Sequence, residues 1–229
     1  MNRQSDEFAV RLFNVSKLYG YNGNNNVGVK DINLEAKYGE LLLIIGPSGS
    51  GKTTLLTLIA GLIRPNDGIV NLLNNKIEDY TKKELQKVRA EKIGFVFQNF
   101  LLIDSLTVLE NVGLVLRFSN HRYNNIHNLS YKILTDLNIK YLSAKFPPTL
   151  SQGEKQRVAV ARAIANNPAL ILADEPTASL ESSQGFQIIE LLHNYAKTEN
   201  KCVIVVSHDL RLKDFADKIL SIENGIIKS

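Results

Sequence analysis

Apolar and polar positions alternate with a period of two at the start of the chain. Phe8, Val10 and Leu12 fall on one face, and Val27, Val29, Ile32 and Leu34 repeat the pattern after a Gly- and Asn-rich turn at Gly20–Asn26. Such alternation marks strands with one buried face, and the intervening turn predicts that they pair antiparallel. The pattern then changes. Leu41–Ile45 is continuously apolar, as in a strand covered on both faces, and from Lys52 the positions Leu55, Leu56, Leu58, Ile59 and Leu62 make a helical stripe that runs to Pro65. Gly68–Leu73, Ile93–Phe97, Leu170–Ala173, Val203–Val206 and Ile219–Ile222 predict further short strands, and Asn224-Gly225 reads as a hairpin turn.

Three helix starts carry a Ser/Thr-x-x-Glu capping pattern: Thr81 with Glu84, Thr107 with Glu110, and Ser151 with Glu154. Between about Gln98 and Ser151 the runs are helical and no strand pattern stands out. The expected fold is therefore α/β: a mainly parallel sheet flanked by helices, an antiparallel β part at the N-terminus, and an inserted helical lobe.

At 229 residues the chain has room for about one and a half average domains, which suits one domain carrying an insertion. An apolar content of 44% is enough to build a core without disulfides or metal staples, and the single Cys202 has no partner for an internal bridge. The net charge of +4 is too mild to announce a nucleic-acid surface. The longest apolar runs fall far short of the roughly twenty residues a membrane helix needs. Met1 to Glu7 is polar, unlike an export signal.

The sharpest motif is Gly46-Pro47-Ser48-Gly49-Ser50-Gly51-Lys52-Thr53, a full G-x-x-x-x-G-K-T between a buried strand and a helix. Its glycines let successive backbone N–H groups turn toward phosphate oxygens, and the helix start adds partial positive charge. Lys52 is placed to neutralise the β- and γ-phosphates of a nucleotide, and the Thr53 hydroxyl to ligate Mg²⁺; Thr54 follows in the same turn. A second motif completes it: the apolar strand Leu170–Ala173 ends in Asp174 and Glu175. Asp174 can hold Mg²⁺ through its water shell, while Glu175 can orient or deprotonate an attacking water.

Between these motifs stands Leu150-Ser151-Gln152-Gly153-Glu154, followed by Lys155-Gln156-Arg157. Here the chain resembles the ATP-binding subunits of ABC transporters, whose signature reads L-S-G-G-Q, and the likeness spans essentially all 229 residues in the family's order. A capped helix start with a glycine is a second phosphate-binding element. One nucleotide needs only one phosphate loop, so this second element makes sense facing the loop of another subunit, and the resemblance implies that arrangement, two ATPs held between two chains. It further implies a single domain over residues 1–229, with a nucleotide-binding core and antiparallel subdomain at about 1–97 and 155–229 and a helical subdomain at about 98–154.

Other roles come from the resemblance residue by residue. Tyr19 matches the aromatic that stacks on adenine, Gln98 the glutamine that touches Mg²⁺ and the attacking water, and His208 the histidine that contacts the γ-phosphate. Ser151, Gln152, Gly153 and Glu154 would meet the ATP of a second, identical chain. The apolar stretch from Phe97 through Val112 is similar to the segment that receives separately encoded transmembrane permease subunits, and that stretch with Glu154 resembles the macrolide-efflux, lipoprotein-release and cell-division branch. The implied protein is an ATPase on the cytoplasmic face of the cell membrane, touching the membrane only through the permease and binding no nucleic acid. Two departures stand out: Gln152 replaces the first signature glycine, and Glu181 stands where a dimer-contact loop normally ends in Asp. Asn75-Lys76-Ile77-Glu78 nearly matches a guanine-selecting N-K-x-D, but lies too close to the phosphate loop and ends in the wrong acid. A small-molecule kinase leaves the signature, Gln98 and His208 without purpose. A soluble ATPase of the same family with a scaffolding role remains the alternative.

Overall fold

A computed structural model describes residues 7–21, 24–119 and 123–228. The polar segment before Glu7, the tip of the first turn and His121 lie outside the described residues. Two long strands, β1 (Phe8–Tyr21) and β2 (Asn24–Lys37), form the antiparallel pair that the alternation predicts. The strands reach further into the Gly- and Asn-rich stretch than Gly20–Asn26 suggests. The phase slip between Val29 and Ile32 has a physical counterpart: Asn14 and Asp31 both adopt φ 49°, and the pairing shifts around Val15.

After β3 (Leu41–Ile45), α1 covers Lys52–Ile59. It stops short of the predicted Pro65 because Gly61 takes φ 62° and ends the helix, with Leu62 N–H bonding to Thr57 O (2.9 Å) and Gly61 N–H to Leu58 O (3.0 Å). Then come β4 (Asp67–Leu72), β5 (Asn75–Lys76), α2 (Lys82–Lys92) and β6 (Ile93–Val96). The helices α3 (Val108–Phe118), α4 (Tyr123–Asp136) and α5 (Gln152–Ile164) follow with no strand among the described residues between β6 and β7 (Leu170–Asp174). α6 (Ser182–Thr198), β8 (Cys202–Ser207), β9 (Lys218–Glu223) and β10 (Ile226–Lys228) complete the order. All three predicted capping boxes are formed, at Thr81, Thr107 and Ser151.

The strands make two sheets. One is antiparallel, in the order β2-β1-β4-β5; the other runs β10-β9-β3-β8-β7-β6, parallel from β9 to β6, with β10 turning back along β9. The continuous apolar runs are explained by two-sided burial. Leu42 and Ile44 of β3 with Ile204 and Val206 of β8 face a core shared with α1 and the antiparallel sheet, while Leu41, Leu43, Val203 and Val205 face one shared with α6. Each fully buried Leu or Ile of this kind contributes roughly 2 kcal/mol. A third core, around Val108, Val112, Leu134 and Leu142, belongs to the helical region. α5 serves two of them: Val158 and Ala161 pack into the helical core, Val160 and Ala163 against the parallel sheet. Cys202 is a free thiol fully buried on β8, and burial pushes its pKa up, which disfavours the thiolate form.

Candidate active site

The four neighbouring strands β3, β8, β7 and β6 run parallel, so their carboxyl ends lie along one edge, where open α/β sheets bind ligands. Ile45 is level with Ser207, Asp174 with Val206, and Val96 with Ala173. This register delivers the phosphate loop after β3, Ser207-His208 at the end of β8, Asp174-Glu175 at the end of β7, and Gln98 just beyond β6 to the same edge.

The loop from Gly46 to Gly51 turns sharply, with Gly49 at φ 80° and Gly51 at φ 102°. A side chain at Gly51 would also collide with the Gly28 carbonyl, 2.3 Å from an ideal Cβ. Gly51 is the N-cap of α1 and supplies no side-chain cap, which leaves the first-turn N–H groups available to an anion. The Lys52 ammonium is buried and curls back over the loop, donating to Gly46 O (2.7 Å) and Pro47 O (2.9 Å) and standing 3.5 Å from Glu175 Oε1. Pro47, Ser48 and Thr53 are exposed. Tyr19, Gly28, Gly49, Gly51, Lys52, Thr53 and Thr54 line a hollow of ≈ 270 Å³, with the Tyr19 ring laid directly on Gly28. Phosphate-loop residues and an aromatic thus share one cavity.

The Thr53 hydroxyl donates to Asp174 Oδ2 at 2.9 Å. Burial raises the Asp174 pKa, a shift opposed by the Thr53 hydrogen bond and increased by the charge of Glu175. Glu175 is itself buried, and its backbone is held at φ 47° with its N–H on Val206 O (2.9 Å), a left-handed conformation that a glutamate adopts only when its surroundings impose it. Its Oε2 accepts from Ser207 Oγ (3.0 Å) and the His208 N–H (3.3 Å), and lies 3.0 Å from His208 Nδ1. An ionised carboxylate only accepts, so the tautomer with hydrogen on Nδ1 completes this contact. Ser207 is fully buried and also accepts from Asp209 N–H (3.1 Å). A serine at a strand end ordinarily reads as the start of a turn, so its sequence position carries no signal of this contact.

Gln98 is exposed in the turn after β6. Beyond Asn99, Phe100 and Leu101 both have positive φ, and the Arg162 guanidinium on α5 bonds to their carbonyls at 2.7 and 2.5 Å. This tie between the Gln98 segment and α5 left no motif to find. Of the stretch through Val112, Val108, Asn111 and Val112 are buried in the helical core, whereas Leu101 and Ile103 are exposed.

The signature stands apart. Ser151 caps α5 by accepting from Glu154 N–H (3.3 Å), and the Glu154 carboxylate accepts from Ser151 N–H (2.8 Å), which lowers the Glu154 pKa. Ser151 and Gln152 are exposed, and Gly153 lies against the flexible end of Gln184. No hydrogen bond between described residues joins this group to the phosphate loop. Glu181 is the N-cap of α6 but makes no side-chain cap, as its extra methylene suggests. Asn75 and Lys76 form β5, at the far edge of the antiparallel sheet. Among the described residues there is no cluster of three His, Cys, Asp or Glu that could hold a metal, and no helix long and apolar enough to cross a membrane.

The sequence profile described as ABC transporter matches residues 29–178. The chain is 42% identical over 223 residues to the uncharacterized ABC transporter ATP-binding protein MJ0796 of Methanocaldococcus jannaschii, covering 96% of this chain and 95% of that one. It is 35% identical over 222 residues to the putative hemin import ATP-binding protein HrtA of Staphylococcus haemolyticus, covering 96% and 99%. Its fold matches the dimeric, ADP- and Pi-bound structure of the MJ0796 cassette with a TM-score of 0.89 at 40% identity, over 96% of this chain and 97% of that one. With the phosphate loop, the acidic strand end and the signature in their places, the chain belongs to the ABC transporter family, as an ATP-binding subunit that hydrolyses ATP.

Proposed function

We propose that Lys52, Glu175, His208 and Gln98 carry the hydrolysis, with Glu175 as the base. The observation that supports this is the position of the Glu175 carboxylate, held by Lys52, Ser207 and His208 at the edge where four strands end. Lys52 exchanges its bonds to Gly46 O and Pro47 O for phosphate oxygens, Tyr19 packs against the base, and the N–H groups of Ser48, Gly49 and Gly51 to Thr54 hold the phosphates, while Gly46 N–H stays on Ser207 O and Ser50 N–H on Pro47 O. Glu175 takes the proton of the attacking water, and His208 steadies the same carboxylate. Thr53 and Asp174 offer two hard oxygen donors 2.9 Å apart, which suits Mg²⁺ completed by phosphate oxygens, water and Gln98. Bound there, the cation neutralises phosphate charge.

The active unit in this reading is a homodimer in which Ser151, Gln152, Gly153 and Glu154 of one chain cover the ATP held by the other. A solved structure of the MJ0796 cassette is dimeric, with ADP and Pi bound. The helical lobe, residues 98–154 or so, then carries the motion to transmembrane permease subunits at the membrane's cytoplasmic face, in an efflux or lipoprotein-release system. Support comes from a hollow of ≈ 750 Å³ lined by Phe95, Phe97, Leu101, Val115 and Phe118 and edged by Lys83 and Lys87. Phe118 is 70% exposed, an apolar surface that a partner would cover. Glu175→Gln should keep ATP affinity, lower turnover by at least about 100-fold, and yield an ATP-dependent dimer on size-exclusion chromatography. Turnover at the native rate would show that Glu175 is not the base.

A further inference from the structure

The back of the phosphate loop is held by the last hairpin. The Gly225 N–H donates to Ser50 O (2.9 Å), and the Gly225 carbonyl accepts from the Lys30 N–H of β2 (2.7 Å), so one residue links the loop to the antiparallel sheet. The turn that presents Gly225 has left-handed backbone at both central positions, Asn224 at φ 49° and Gly225 at φ 77°, as a two-residue type I′ connection requires. Just before it, the Ile222 carbonyl presses on Gly46, only 2.2 Å from where a Cβ would stand. From the other side the Gly28 carbonyl bears on Gly51 in the same way. The loop is therefore gripped between backbone carbonyls, the nearest atoms at both glycines, with the side chains of Ser50 and Ile222 also close at Gly46 and that of Val29 at Gly51.

This grip answers a physical need. Gly49 and Gly51 have the widest conformational freedom of any residue, so the loop's own preferences do not fix its curve. We infer that the Asn224-Gly225 turn is a positioning element of the nucleotide site, bracing Ser50 so that the loop presents its N–H groups to phosphate. The inference rests on reading Gly46–Thr53 as the phosphate site. It separates binding from chemistry: Glu175, Ser207 and His208 sit at the ends of β7 and β8, and the hydrogen bonds of the turn go to the loop and β2 instead.

Gly225→Val and Gly225→Asn in the full chain test it. Valine is poorly accommodated at positive φ, whereas asparagine tolerates it. Gly225→Val should weaken binding of a fluorescent ATP analogue and raise KM for ATP about tenfold, the scale of one lost backbone hydrogen bond, with kcat at saturating ATP within about twofold. Gly225→Asn should restore near-native values for all three. If the valine variant does not fold, Gly225→Ala should show the same split at about threefold. A folded valine or alanine variant with native ATP affinity, or one that loses kcat and keeps its KM, overturns the inference. Lys52→Ala is the control. If it binds ATP with native affinity, the phosphate-site reading itself fails; if it loses ATP while Gly225→Val does not, only the brace is refuted.

Discussion

The phosphate loop and the signature at the start of α5 are built in different ways. Around the loop after β3 the charged side chains are enclosed, although Pro47, Ser48 and Gly49 at its tip are exposed: Lys52 and, beyond β7, Glu175 are buried, Glu175 is forced into left-handed backbone, and Gly46 and Gly51 are pressed by carbonyls from β9 and β2. The start of α5 is open. Ser151 and Gln152 are exposed, and the side-chain hydrogen bonds of Ser151 and Glu154 run to each other or to Tyr141. The first arrangement stores strain and holds charged groups away from water, which stable packing must offset. The second is a self-sufficient helix cap whose outer end faces solvent. Burial thus distinguishes side chains held by the packing of their own chain from a cap left open, the difference on which the proposed contact with a second chain depends.

Ser151→Ala probes this difference most strongly. It should leave ATP binding to the isolated chain unchanged and reduce turnover about 100-fold, with about 1 kcal/mol lost in a urea unfolding curve for the missing cap. A parallel loss of ATP affinity in the isolated chain would mean that both elements contact one nucleotide in cis. A smaller effect concerns the enclosed element. Because burial raises the Asp174 pKa, the folded state favours the protonated carboxyl, so the ionised group opposes folding above its folded pKa and ceases to do so as pH falls toward the ordinary 3.8. Asp174→Asn should accordingly raise Tm at neutral pH, and the gain should shrink to nothing near that ordinary value. A gain independent of pH would remove burial of charge as its cause. The smallest effect belongs to α6. Glu181→Asp should supply the absent side-chain cap and add about 0.5–1 kcal/mol, read from the shift in urea midpoint. No shift would mean that the backbone there holds the shorter carboxylate away from the first turn.

Much of this was legible in the residues. The three capping boxes are local chemistry with fixed spacing, and all three helix starts fall where Thr81, Thr107 and Ser151 place them. The run Leu41–Ile45 announced two-sided burial, and Asn224-Gly225 announced its turn. Other features were hidden because side-chain pattern does not encode them. The apolar stripe through Leu62 outweighed Gly61, yet Leu62 is half exposed and the glycine ends the helix. The brace from Gly225 to Ser50 joins backbone atoms far apart in the chain and leaves no compositional trace. Ser207 and Arg162 matter through what they touch, the Glu175 carboxylate and the carbonyls after Gln98, and those neighbours come from distant segments.

The placement of α5 between two cores limits how this protein can change over evolutionary time. Val158, Val160 and Ala161 have no exposed surface, Val158 and Ala161 packing into the helical core and Val160 against the sheet. An added methyl group at Ala161 has no solvent side to escape to and must strain the contact between the two cores. The spacing between the signature and the sheet edge is therefore written in the small volumes of these side chains, and a helix with a free face would not impose that constraint.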